Sequence, residues 1–294
     1  MGNSTQQQFL DLNGALVLRI HLDFSNNLDI STEHDTTVTM STTFVRRTTR
    51  ILVLNPNSSA SMTHGVEVAI RGMNLPLSTE IYTYTAPPAS PASINDGEDV
   101  QQSADVVMRN LQETGILGEY DAVLVACYSV HPLVHLIQEN RPHLAVTGIF
   151  EASIVTSLSL LPYQDNWGIV TTGKFWEKHL SDGVHHFVGS ENTNSRFAGV
   201  ETTGLNAGDF HGGVDPAVVR QKLCEATKRL LDRGVQAVVM GCAGMAGLED
   251  IIRSVATEER GEEAGRKLLV IDGVKAGVGL LEQMVRNKRM FQRS

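Results

Sequence analysis

Residues 121–137 read DAVLVACYSVHPLVHLI, and residues 235–252 read VQAVVMGCAGMAGLEDII. Each is a short apolar run, then a cysteine, then a turn of small residues, then a helical pattern. The runs AVLVA and AVVMG are continuous rather than alternating, as in parallel strands buried on both faces. A strand passing through such a turn into a helix is the repeating unit of an α/β fold. The carboxyl ends of parallel strands are where that fold displays its reactive groups. Cys127 and Cys242 stand at two such ends. A thiol at the start of a helix is expected to feel the positive end of the helix dipole, which favours thiolate.

The same rhythm extends in both directions. Strands are expected at 51–55, 80–86, 122–127, 144–150, 166–172, 197–204, 237–242 and 268–273. Helices are expected between them, at about 61–72, 97–114, 131–140, 151–161, 173–183, 215–234, 247–257 and 274–289. Pro132 and Pro216 suit first helical turns, where a missing N–H costs nothing, and Gly234 stops the 215–234 helix. EERGEEAGRK (258–267) reads as a solvated turn, and His185-His186 as a solvated, loop-like stretch. Each half has an early strand ending in a polar turn (NPNSS; TTGK) and a later strand ending in cysteine. The expected fold is therefore α/β: two pseudo-symmetric parallel-sheet domains with the active site in the cleft between them. Residues 49–148 plus 270–294 are assigned to the first domain and 149–269 to the second. Residues 1–48, rich in Ser, Thr, Asn and Gln, read as a poorly ordered extension.

Composition narrows the function classes. The 294-residue chain is 41% hydrophobic and 19% charged, with a net charge of -9. It has no long basic run and no aromatic-basic interleaving, which argues against nucleic acid as a partner. No apolar run approaches the roughly 18 residues needed to span a bilayer, and no secretory signal is recognisable. The start MGNSTQ matches an N-myristoylation pattern only loosely. Three cysteines without a CxxC spacing suit a reducing compartment, so a cytoplasmic location is expected.

Candidate chemistry gathers at the strand ends. A single buried cysteine is ordinarily a small hydrophobe, and Cys224, inside an amphipathic helix, is read that way. Two cysteines at equivalent strand ends point instead to a pair of acid/base groups facing one pocket. Asn55, Asn57 and Ser58 suit capping of the first helix, and at least one of them is expected to contact substrate, since both roles can hold together. Thr171 and Thr172 end the equivalent strand of the second half, and Ser93 in the PASPASIND loop is placed to reach the cleft. Backbone N–H groups near Ser129, Ala243 and Gly244 suit a carboxylate or a developing enolate oxygen. His131 and His135, four apart, lack a third ligand and read as surface or cleft-lining residues, so no metal is expected. Neither GxGxxG, GxxxxGK[ST] nor GxSxG occurs, which removes dinucleotide, P-loop and α/β-hydrolase chemistry.

VLNPNSSASMT, VACYSVHP, GIFEAS, GIVTTG, VVMGCAGM and VIDGV together resemble the aspartate/glutamate/hydantoin racemase superfamily, closest to its hydantoin and allantoin racemase branch, fungal members included. The resemblance covers about residues 50–290. It implies racemisation of a small molecule without any cofactor, by two catalytic cysteines at Cys127 and Cys242. It places substrate binding at Asn55, Asn57 and Ser58, with Thr171 and Thr172 as the counterpart in the second domain. A homo-oligomer is expected. Single-cysteine relatives decarboxylate or isomerise, so a lyase or cis–trans isomerase stays open, as do Asp/Glu racemisation and a non-catalytic binding module. No Arg or Lys other than Lys174 stands at a strand end to hold a carboxylate, which favours a neutral ring substrate.

Overall fold

The computed structural model describes residues 48–190 and 196–292, together with four three-residue strands in the N-terminal stretch. Those strands form two antiparallel pairs, Gln8–Leu10 with Leu16–Leu18 and Leu28–Ile30 with Val38–Met40, in a unit separate from residues 48–294. The expected poorly ordered extension otherwise lies outside the described residues.

Eight parallel strands form two four-stranded sheets. The first contains β1 (Thr49–Asn55), β2 (Thr79–Thr85), β3 (Ala122–Val125) and β4 (Ala145–Gly148), in the order β2-β1-β3-β4. The second contains β5 (Trp167–Thr171), β6 (Phe197–Thr202), β7 (Ala237–Gly241) and β8 (Leu269–Asp272), in the order β6-β5-β7-β8. The two sheets thus repeat one topology, and the two cysteines follow the matching strands β3 and β7.

Burial on both faces explains the continuous apolar runs. On β1, Ile51 and Val53 join a core shared by the two sheets, while Leu52 and Leu54 face a separate outer cluster. Successive strand residues point to opposite faces, so a strand covered twice must be apolar at every position. On the outer face of the first sheet lie α2 (Gly97–Thr114) and α3 (Pro132–Asn140). The corresponding face of the second sheet is covered by α6 (Pro216–Leu231) and α7 (Glu249–Arg260). The shared core takes in α1 (Ala60–Arg71), α4 (Ile149–Leu160), α5 (Phe175–Phe187) and α9 (Gly273–Phe291). Because Trp167 and Ile169 share that core with Ile51 and Leu124, the lobes are not independently cored.

Helix boundaries follow local chemistry. Asp96 caps α2 by accepting from the Glu98 and Asp99 amides, and Gly115 ends it in the left-handed region at φ 64°. Asp272 ends β8 and caps α9, accepting from Val274 N at 2.7 Å and Lys275 N at 3.0 Å. Three local expectations are corrected. Residues 258–267 are not a turn: α7 runs to Arg260, Gly261 (φ 87°) breaks it, and α8 (Glu262–Lys267) follows, with the Lys267–Glu263 pair on its surface. The α5 helix continues to Phe187, so His185 and His186 form its last turn. The fourth strand stops at Gly148, and α4 starts at once.

Candidate active site

Cys127 and Cys242, one from each lobe, line a single cavity between the sheet ends. It encloses about 30 Å³ of free space, enough for water but not for a heterocyclic ring. A ring substrate therefore needs more room than this cavity offers. Loops from both sides meet over the opening. Asn95 Oδ1 accepts from Ala207 N across the cleft at 3.4 Å and from Ser93 Oγ at 3.1 Å. Ser93, expected as a cleft residue, is thus part of the closure rather than of the cavity wall.

Each sulfur has its own donor. Ser129, fully buried, places its hydroxyl 3.4 Å from Cys127 Sγ, and Gly244 N lies 3.3 Å from Cys242 Sγ. The expectation of a helix start at each thiol divides: Cys242 caps a short 3-10 helix (Ala243–Met245), whereas no helix follows Cys127 until α3 begins at Pro132. Burial dominates instead. It pushes the Cys127 thiol up to about 12 and Cys242 up to about 11, against the lowering by their hydrogen bonds. Burial thus favours the thiol form of both.

The polar strand ends divide into residues that face the cavity and residues that hold those in place. Asn57, Thr172, Ala243 and Gly244 line it. Asn57 Oδ1 is fully used, accepting from Asn55 Nδ2 and from Ser59 N at 3.0 Å each. Its Nδ2 meets only Met62 Sδ, at 3.1 Å, a weak acceptor that leaves the donor free for substrate. Asn55 is corrected from contact residue to support: its amide also bonds Thr63 Oγ1 at 3.0 Å and Ser59 O at 3.2 Å. Ser58 is likewise turned away, donating to Ser90 O at 3.0 Å. Thr171 donates to Gly241 O at 2.5 Å, tying β5 to the strand that carries Cys242, and its neighbour Thr172 faces the cavity. The remaining wall was not legible from local sequence: Met62, Ile94, Trp176 and Ala207.

Glu151 was also missed, although it stands inside GIFEAS. It opens α4 beside Cys127, its Oε2 is buried without a partner among the described residues, and burial raises its carboxyl to about 7. Its charge pushes the Cys127 thiol further up. The histidine expectation divides. His131 is not surface-lining: it caps α3, accepting from Leu133 N at 3.3 Å with Nε2 3.1 Å from Ser103 Oγ, and burial lowers it to about 3. His135 is exposed and pairs with Glu139 at 3.1 Å. Cys224 packs on α6 against the second lobe's outer cluster. Lys174 is exposed, pairs with Glu177 at 3.5 Å, and does not line the cavity. A wider groove of about 550 Å³ between α4, α7 and α9 carries no thiol, and its Lys275 is paired with Glu249 at 2.6 Å.

Gly241 allows the backbone of β7 to lie against β5. A Cβ there would meet Ile169 Cγ2 at 2.6 Å, Thr171 Cβ at 2.8 Å and Val170 O at 2.9 Å. Gly241→Ala is therefore expected to cost roughly 1–3 kcal/mol by overpacking. A thermal melt against wild type checks this; an unchanged Tm would mean that the strands part without cost.

Residues 51–281 match the family model described as Asp/Glu/Hydantoin racemase. The chain belongs to this family. It is thus a racemase-family enzyme, an isomerase. An uncharacterized protein of Schizosaccharomyces pombe is 34% identical over 239 residues, covering 81% of this chain and 92% of that protein. A hydantoin racemase of Pseudomonas sp. is 30% identical over 242 residues, covering 80% of this chain and 86% of its own. The solved allantoin racemase from Klebsiella pneumoniae superposes with a TM-score of 0.65 at 26% identity, covering 82% of this chain and 89% of that one.

Proposed function

We propose that this enzyme is a cofactor-independent racemase of 5-substituted hydantoins or allantoin that uses Cys127 and Cys242 as its two bases. The observation that carries this reading is the presence of both sulfurs, from opposite lobes, in one cavity. One sulfur, as thiolate, removes the C5 proton of the ring. The electrons pass to the adjacent carbonyl, and the enolate is protonated on its other face by the opposing thiol. The sulfurs leave the turnover with their protonation states exchanged. Proton transfer by a placed group of this kind contributes about 10²–10⁴-fold. Asn57 Nδ2 and the Thr172 hydroxyl are the donors available to the enolate oxygen. Closure of the lobes excludes water from it.

No Lys or Arg lines the cavity, which favours a neutral ring over aspartate or glutamate. Two thiols at one site also favour racemisation over the single-cysteine lyase and isomerase reactions. All three cysteines are free, in keeping with a cytoplasmic enzyme. Self-association belongs to the same proposal, and sedimentation analysis decides it. The direct test is to incubate one enantiomer of a hydantoin panel that includes allantoin in D2O. Optical activity should decay while deuterium enters C5. If neither change exceeds the enzyme-free rate on any member, the proposal fails.

A further inference from the structure

The cavity wall includes one tryptophan whose N–H the folded chain does not use. Trp176 lines the cavity at 3% exposure, beside Met62, Ile94 and Ala207. Its indole N–H has no acceptor among the described residues, yet it is not enclosed by protein as the Trp167 N–H is. The ring is held edge-on to Phe175 (centroids 5.0 Å, 78°) and to His179 (5.4 Å, 84°). Phe175 in turn lies against Gly97 of the opposite lobe, so closure and indole placement are linked.

The donors for the ring are elsewhere: Asn57 Nδ2 and Thr172 stand at the strand ends with the sulfurs. With C5 between the two sulfurs, the arm on C5 is left to the wall of Met62, Ile94, Ala207 and Trp176. An alkyl arm would bury the indole N–H unpaired, and an unpaired buried donor is costly. A site that supplies a donor rejects the analogue that lacks the acceptor.

We propose that Trp176 determines which C5 arm this site accepts: its indole N–H donates to a carbonyl oxygen on the arm, selecting ureido-type arms, as in allantoin, over purely alkyl ones. The inference rests on the hydantoin/allantoin reading above.

The test compares kcat/KM of the full-length enzyme for allantoin and for 5-isobutylhydantoin, in wild type and in Trp176→Phe, which keeps an aromatic wall and removes the N–H. Wild type should prefer allantoin by about tenfold or more. The variant should lose about that factor on allantoin relative to the alkyl substrate, which no longer buries an unpaired N–H. Equal losses on both substrates, no loss, or a wild-type preference for the alkyl arm each overturn the inference while the racemase reading stands. Racemisation of neither substrate, nor of any other hydantoin, overturns the racemase reading and this inference with it. Should the variant not fold, the indole N–H resonances of wild type decide, because the chain has only two tryptophans. Allantoin should shift one of them downfield and 5-isobutylhydantoin should not; the same shift with both, or with neither, overturns the inference.

Discussion

Cys127→Ser and Cys242→Ser are each expected to reduce hydantoin racemisation by a factor on the order of 10³ or more, a loss typical of removing a positioned acid/base group. A serine hydroxyl keeps nearly the shape of the thiol, but its proton is far too tightly held to exchange with C5 near neutral pH. The loss should fall mainly on kcat, because neither sulfur is needed to seat the ring. The two variants should differ in a second observable. With Cys127 replaced, Cys242 still reaches one face of C5, so one enantiomer exchanges its proton for deuterium without inverting. With Cys242 replaced, the other enantiomer does so. Proton NMR of the C5 hydrogen together with circular dichroism in D2O separates exchange from inversion. If either variant keeps more than about a tenth of wild-type racemisation, one base suffices and the two-thiol mechanism is wrong. Both sites are lined by groups that stay in place, so the melting temperature should change little. That separates lost chemistry from lost fold.

Most of this architecture was legible because each central strand is covered twice. Burial of Ile51 and Val53 on one face and Leu52 and Leu54 on the other leaves no polar position in the ILVL run of β1, and the same holds for AVLV and AVVM. The α8 helix was not legible, since EEAGRK is polar on nearly every face and the sequence carries no apolar stripe to reveal it. At the site, residue type was readable but orientation was not. Thr171 and Thr172 are adjacent and chemically alike; the carbonyl of Gly241, from a distant strand, decides which is tied to the sheet and which faces substrate. Asn55 and Asn57 divide for a similar reason, because Thr63 of α1 occupies the first. The wall of Met62, Ile94, Trp176 and Ala207 comes from four separate segments, so no local pattern announces it.

The protonation of the cysteines was the larger misreading, and Glu151 shows its consequence. A turn separates Cys127 from α3, and Cys242 caps only a three-residue 3-10 helix, so burial outweighs the local amides at each thiol. Glu151 is held by the same low-dielectric surroundings, with its carboxyl raised from 4.5 to about 7. A raised carboxyl means that the folded state binds the proton more tightly than the unfolded chain. The Glu151 contribution to stability is then fully present below about pH 4.5 and falls as pH rises through the window from about 4.5 to about 7, by about 3 kcal/mol in total. Glutamine cannot ionise, so Glu151→Gln should escape that loss. The variant should match wild type near pH 4 and melt roughly 6–12 °C higher at pH 8. Removing the charge should also lower the apparent pKa of Cys127, because the carboxylate opposes its thiolate. Thiolate absorbance titrated in a Cys242→Ser background reads that shift directly. In wild type, then, the Glu151 charge makes Cys127 harder to ionise, at a cost in stability typical of residues kept for function. Melting curves of wild type and variant that run parallel from pH 4 to pH 8, with an unmoved Cys127 titration, would show that Glu151 carries no buried charge and does not oppose the Cys127 thiolate.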